Sequence, residues 1–494
     1  MFLICNRKVL QVPAARQLIL QYFISLILIV AVMTDTAAQQ KKKFYWGVAT
    51  AAYQVDGNYQ VDGKGESKWD FLTNKVQITK LVVGQQMTGN ESINMYNRGQ
   101  YLKDIQLMKE LGVNAYRFSL DWSRIIPDGI GAVNETALKH YDVLIDDLLA
   151  AGIEPFVTIY HFDYPNVLMQ KGGWGNPEME NWYLNYATTV IKRYGKKVKK
   201  FITFNEPYIE FFLVENMLTA PQGQPLSKEF YMSQMQKAHR QLITNAKLIK
   251  AYHDLKLNGE IGIVLNLNPG APWHENNAAD VAAAKFQDVL INDLFLDPLY
   301  KGRYPQMAID SLAKYNPSFK PAAEDMELFK KNKPDFLGIN FYAPAIVKGE
   351  DTPMSLKWLD NNPDAVKSHI GPVMPAYLYK ILMRLKTEYG NPPVYITENG
   401  TGFAQEDVII NGKINDPLRA DYIKQHIEWA LKAKKEGADL NGYMVWSGWD
   451  NFEWVAGYTK RLGLIYVDFT TQERIPKQSF YEYQKIIRAN KTMQ

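Results

Sequence analysis

Cysteine is almost absent from this sequence: Cys5 is the only one in 494 residues. A lone thiol excludes an intrachain disulfide framework. Histidine is scarce too, with seven in all, none clustered at ligand spacing and none in an H-E-x-x-H pattern. Nothing here calls for a metal. No G-x-G-x-x-G turn follows the first apolar strand, so the dinucleotide signature is missing and no cofactor is implied. Long basic runs are lacking beyond Lys41 to Lys43, and the net charge is only +4, which argues against a nucleic-acid partner. After Gln39 there is no Pro- or Ser-rich linker and no composition shift, so residues 39–494 read as one domain.

The N-terminus is different in kind. Arg7, Lys8 and Arg16 precede an apolar stretch from Leu18 to Val32, and "TDTAA" offers small residues for cleavage near Ala38. Residues 1–38 are expected to be a secretory signal peptide, which makes the mature protein secreted or periplasmic. The stretch is somewhat long, so an uncleaved membrane anchor is the alternative. Cleavage removes three bases, one acid and Cys5, which leaves a net charge of +2, no thiol, and no stable membrane association. Aromatics are plentiful at 13%, with 30 Tyr and 11 Trp. They suit a protein that stacks flat ligands such as sugars, and equally a large core.

Short apolar strands alternate with helical stretches along the rest of the chain. The strands are "WGVAT" from 46, "NAYRFS" from 114, "EPFVTIY" from 154, "FITF" from 201, "IGIVLN" from 261, "FLGIN" from 336, "VYIT" from 394 and "GYMVW" from 442. Between them, apolar residues recur at helical spacing, as in Ile105, Met108 and Leu111 before Gly112. Eight such repeats predict an α/β fold, a (β/α)8 TIM barrel in a single domain with long βα loops. An open doubly wound sheet is the runner-up.

In a barrel the carboxyl ends of the strands share one pocket. Those ends carry Gln54, Arg117, His161, Asn205 with Glu206, Asn266, Asn340 with Tyr342, Glu398 and Trp446. Polar or aromatic groups at every strand end make a ligand pocket the better reading. Glu206 and Glu398 stand 192 residues apart, and only the barrel brings them together. Facing carboxylates are the equipment for glycosidic cleavage: one protonates the leaving oxygen, and the other stabilises or attacks the anomeric carbon.

"TFNEP" (203–207) and "YITENG" (395–400) resemble the acid/base and nucleophile motifs of glycoside hydrolase family 1, the β-glucosidase family. "AAYQVDG" (51–57), "AYRFSLDWSRI" (115–125), "YHFDYP" (160–165), "FLDPLYKGRYP" (295–305), "DFLGINFY" (335–342) and "WSGWDNFEWVAGYTKRLGLIYVD" (446–468) match in order, so the resemblance runs from about 44 to 485. It implies a retaining β-glycosidase that hydrolyses terminal non-reducing β-D-glucosyl residues, with galactosyl and fucosyl as further glycones, through a covalent glycosyl-enzyme intermediate. Its partner is a small-molecule or oligosaccharide β-glycoside. By the same resemblance Glu206 is the acid and then the base, Glu398 is the nucleophile, and Arg117 and Tyr342 keep it ionised. Gln54, His161, Asn205, Asn340, Glu453 and Trp454 join the substrate-binding set, and Trp446 stacks under the sugar.

Glu453 bears on the substrate. Relatives that act on 6-phosphorylated sugars carry a small hydroxyl residue there, whereas a carboxylate repels a phosphate dianion, so the sugar is expected to be unphosphorylated. Two positions depart from the family pattern: Phe162 stands where Trp is usual, and Leu462 replaces an aromatic ring near the sugar's C6. Trp174 and Trp358 are candidate platforms for the leaving group, and equally candidates for loop packing. Two rival readings stand: a non-catalytic sugar-binding relative, typically lacking one carboxylate, and a transglycosidase that shares the covalent intermediate.

Overall fold

The computed structural model describes residues 43–215, 228–315, 319, 321–350, 366–406 and 408–494. The expected signal segment and Trp358 lie outside them. Among the described residues no helix is long and apolar enough to cross a membrane.

All eight expected strands form: β1 (Tyr45–Ala49), β2 (Ala115–Ser119), β3 (Glu154–Tyr160), β4 (Lys200–Asn205), β5 (Glu260–Asn266), β6 (Phe336–Asn340), β7 (Val394–Asn399) and β8 (Leu440–Trp446). Each pairs in parallel with its chain neighbours, and β8 pairs with β1, which closes the barrel and removes every free edge. This excludes the open-sheet alternative. Helices α1 (Arg98–Leu111), α2 (Glu135–Ala150), α3 (Met179–Tyr194), α4 (Lys228–Asp254), α5 (Ala278–Asp288), α6 (Ala376–Glu388), α7 (Pro417–Lys435) and α8 (Gln478–Ala489) succeed the strands in turn. Helix α1 shows how the sequence sets a boundary. Asn97 caps its first turn through Gly99 N–H, and Gly112 ends it at φ +85°, where a side chain would be strained.

The barrel interior is filled, not open. Ala115, Phe156, Ile202, Val264, Phe336, Tyr395 and Met444 interlock there. At the amino-terminal end of the strands, Tyr45 and Phe156 meet edge to face at 5.2 Å, as do Phe336 and Tyr395. The Lys200 ammonium sits 5.3 Å from the Tyr395 ring centre. That end is a plug, which leaves the carboxyl ends to carry the polar groups. The ladders slip there: register shifts separate Ile202 from Asn205 on β4 and Ile396 from Glu398 on β7. Such slips re-aim side chains. Gly400 permits a close approach just beyond β7, since a Cβ there would lie 1.8 Å from the Trp446 carbonyl oxygen.

Candidate active site

Glu206 leaves β4 in a left-handed conformation, φ +46°, with its N–H donating to the Val264 carbonyl at 2.9 Å. Phe162 and Trp454 at the same mouth also have positive φ, +66° and +40°. Strained non-glycine residues of this kind concentrate at functional sites.

One hydrogen-bonded chain joins the two carboxylates. Arg117 Nη1 donates to Glu398 Oε1 at 2.5 Å, and its Nη2 donates to Asn205 Oδ1 at 2.6 Å. Asn340 Nδ2 donates to the same Asn205 oxygen at 3.1 Å and to Glu206 Oε1 at 2.7 Å. The second Glu398 oxygen accepts from the Tyr342 hydroxyl at 2.6 Å. Glu206, Glu398 and Arg117 are all buried, Arg117 completely. The sequence reading brought these residues to one rim but missed what steadies them. Thr158 accepts from Arg117 Nε at 3.1 Å, and Thr397 donates to Asn340 Oδ1 at 2.8 Å. Both are inward-facing strand threonines, and a polar residue in a buried strand is the only trace they leave in the sequence.

The electrostatics are unequal by construction. The site gathers three carboxylates, Glu206, Glu398 and Glu453; Arg117 acts on the first two and Lys460 on the third. Burial, then the charge of Glu398, pushes Glu206 up to about 8, against the Asn340 hydrogen bond. Burial also raises Glu398, but Arg117 and Tyr342 oppose it through both oxygens. Of the pair, Glu206 therefore holds the proton and Glu398 the charge. Burial raises Glu453 to about 7, with Lys460 opposing and Glu398 adding to the rise. His161 is pushed well below its usual range by burial and by Arg117, so its imidazole is neutral. Tyr342 is pushed well above its range and keeps its proton.

The remaining expected residues lie around this pair. Asn205 Nδ2 donates to His161 Nε2 at 3.1 Å, and His161 Nδ1 is buried without a hydrogen-bond partner among the described residues. Gln54 Nε2 donates to the Phe452 carbonyl at 2.8 Å and to Glu453 Oε2 at 3.1 Å, while its buried Oε1 has no hydrogen-bond partner among the described residues. Trp446 lies 6.0 Å from the His161 ring, nearly parallel to it, in the same cluster as Leu462. Trp454 packs 4.7 Å from Trp69 and 5.4 Å from Phe162. Asn340 belongs to the carboxylate chain: its amide donates to Glu206 and Asn205 and accepts from Thr397. Asn266 donates to Asn268 at 3.0 Å. For Trp174 the platform reading is corrected. It is buried against Tyr160, Phe204 and Tyr183, with Nε1 donating to the Tyr160 hydroxyl at 3.1 Å, so it serves packing and offers no platform. No cluster of three His, Cys, Asp or Glu arranged to hold a metal occurs among the described residues.

A closed (β/α)8 barrel with two buried, unequal glutamates at its mouth has the equipment of a glycoside hydrolase. The chain belongs to glycosyl hydrolase family 1, whose profile matches residues 36–492. It is 39% identical over 452 residues to a protein named beta-glucosidase A from Thermotoga maritima, covering 90% of this chain and 97% of that one. It is also 36% identical to a 6-phospho-beta-glucosidase of Bacillus subtilis, covering 89% and 95%. A solved family 1 β-glucosidase from Thermotoga maritima superposes with a TM-score of 0.82 at 38% identity, covering 91% of this chain and 98% of that one. The Thermotoga enzyme has also been solved with isofagomine lactam bound.

Proposed function

We propose that this chain is a retaining β-glycosidase that removes terminal non-reducing, unphosphorylated β-D-glucosyl residues, with galactosyl and fucosyl as further glycones. The observation that carries this reading is the asymmetry of the pair: Glu398 is held through both oxygens by Arg117 and Tyr342, while Glu206 is raised to about 8. Glu206 gives its proton to the glycosidic oxygen as Glu398 attacks the anomeric carbon. The C–O bond breaks, the leaving alcohol departs, and a glycosyl ester forms on Glu398. The charge of Glu398 is then gone, so the proton affinity of Glu206 falls. Glu206 takes a proton from water as that water attacks the anomeric carbon, and Glu398 leaves as carboxylate.

Sugar hydroxyls have natural partners in the pocket. Gln54 Oε1, without a partner among the described residues, is an acceptor, and His161 Nδ1, whose ring accepts at Nε2, is a donor. Glu453 accepts further hydroxyls, Asn205 keeps one amide proton for the 2-hydroxyl, and Trp446 and Trp454 supply apolar walls. Similarity alone does not choose between glucosides and 6-phosphoglucosides, since relatives of both names match at 36–39% identity. Glu453 supports the unphosphorylated sugar: raised to about 7, it is half ionised at neutral pH, and its charged form disfavours a phosphate.

The test is a panel of aryl β-glucoside, β-galactoside, β-fucoside, β-xyloside and 6-phospho-β-glucoside, with products followed by proton NMR. The β-anomer should appear first, and the β-glucoside should be turned over faster than its 6-phosphate. An α-anomer as first product refutes the retaining step, and preference for the 6-phosphate refutes the substrate class. The reading includes removal of residues 1–38 and a secreted or periplasmic protein. N-terminal sequencing from the native host should find a start near Gln39, and a membrane-bound start at Met1 favours the anchor instead.

A further inference from the structure

Helix α7 reaches the catalytic pair from behind. Its Tyr422 is buried, and its hydroxyl makes two bonds: it donates to the Tyr342 carbonyl at 2.9 Å and accepts from Asn399 Nδ2 at 3.1 Å. The other amide proton of Asn399 goes to the Phe341 carbonyl at 2.6 Å, and its Oδ1 accepts from the Tyr443 hydroxyl. The Phe341 N–H donates to the Glu398 carbonyl at 3.0 Å. Every proton of Asn399 and Tyr422 is used once, so the knot has a single arrangement. The Tyr422 ring is itself pinned. His426 Nδ1 donates to its backbone carbonyl at 2.7 Å, and the imidazole packs against the phenol, tilted by 30° with ring centres 3.9 Å apart.

The two ends of this knot flank Glu398. Asn399 is the next residue in the chain, and Tyr342 carries the phenol that donates to Glu398 Oε2. We propose that Tyr422 is a positioning residue for the nucleophile: by tying the Tyr342 carbonyl to the Asn399 side chain, it sets where the Tyr342 phenol stands against Glu398. The inference rests on Glu398 being the nucleophile. Tyr422 touches neither Glu398 nor the sugar pocket's polar groups through any bond described above, so it acts through Tyr342.

Tyr422→Phe keeps the ring and removes both bonds. The charged and titratable groups that face Glu398 are Arg117, Tyr342, Glu206 and Glu453, and only the placement of Tyr342 changes. A less well aimed phenol stabilises the Glu398 carboxylate less. The acid limb of the kcat/KM profile should therefore move to higher pH by roughly half a unit, and kcat/KM on an aryl β-glucoside should fall about three- to tenfold, as for loss of one hydrogen bond. Tyr342→Phe should move the limb further, and in that background Tyr422→Phe should add no shift. Tyr443→Phe frees Asn399 Oδ1, the far anchor of the same knot, and should move the limb in the same direction by no more than Tyr422→Phe does. Thermal melting verifies that each variant is folded. An unmoved limb in Tyr422→Phe, or an additive shift in the double variant, overturns the proposal. Glu398→Ala assayed alongside separates the two readings: normal activity there refutes the nucleophile assignment, whereas an inactive Glu398→Ala with an unmoved Tyr422→Phe limb refutes only the role of Tyr422.

Discussion

Replacing Glu206 by Gln removes one proton donor from the pocket and keeps its shape. At pH 7 a carboxyl raised to about 8 is roughly nine-tenths protonated, so the wild type is poised to donate. General acid catalysis contributes about 10²- to 10⁴-fold. Alkyl glycosides and cellobiose, whose leaving alcohols need protonation, should lose activity by that factor. A dinitrophenyl glucoside needs little protonation, so its first step should survive, and the slow second step should make the intermediate accumulate as a burst. The basic limb of kcat/KM near pH 8 should vanish with this substrate. Stability should change as well. The folded proton affinity of Glu206 lies above that of the unfolded chain, so the native state binds more protons between about pH 4.5 and 8 and loses stability as pH rises through that window. Glu206→Gln removes this loss and should be the more stable protein at pH 8, by on the order of a few kcal/mol, with the gap closing below about pH 4.5. Stopped-flow assays and urea unfolding at pH 4.5 and 8 check both. An equal loss on good and poor leaving groups, or a basic limb that persists, refutes the acid assignment.

Glu398→Ala should abolish nearly all hydrolysis while the chain stays folded. Azide should then restore part of the activity and give an α-glycosyl azide, and normal activity without azide contradicts the assignment. Glu453→Ser should weaken β-glucoside turnover roughly ten- to a hundredfold, because hydrogen bonds to a charged acceptor contribute about 1.5–3 kcal/mol each. The ratio of 6-phosphoglucoside to glucoside turnover should rise, since Lys460 faces the vacated carboxylate position, and an unchanged ratio in competition assays removes Glu453 from the sugar pocket. Gly400→Ala should destabilise the protein by about 3 kcal/mol or more, because its Cβ would lie 1.8 Å from the Trp446 carbonyl oxygen, and chemical denaturation measures this.

The barrel was legible because short buried apolar runs alternate with helical stretches that end in stops such as Gly112, a pattern local to ten or fifteen residues. The rim was legible because strand ends in a closed barrel must converge. What stayed hidden depends on register. Arg117 meets Glu398 across 281 residues, and "AYRFS" alone does not say which acid its guanidinium will find; only the family resemblance paired the two. Thr158 and Thr397 look like ordinary β-branched strand residues until the barrel places them beside Arg117 and Asn340. Tyr422 reads as one more apolar position on an amphipathic helix. Trp174 was left open between platform and packing for the same reason: "KGGW" does not say which way its ring faces, and the 3-10 turn it forms carries the indole inward to Tyr160.

The chemistry then turns on one residue, Arg117. Glu206 and Glu398 are the same side chain, both buried and both at strand ends, and their intrinsic acidities are equal. Burial raises each, and neighbouring charges and hydrogen bonds separate them. Arg117 bonds Glu398 directly but reaches Glu206 only through the neutral amides of Asn205 and Asn340. The charge it compensates is that of Glu398. Glu206, on which burial and the charge of Glu398 outweigh Arg117, keeps its proton. In the proposed mechanism the guanidinium on β2, with the Tyr342 phenol, is what makes Glu398 the nucleophile and Glu206 the acid, and that difference would reverse once Glu398 became an ester and Glu206 was free to ionise.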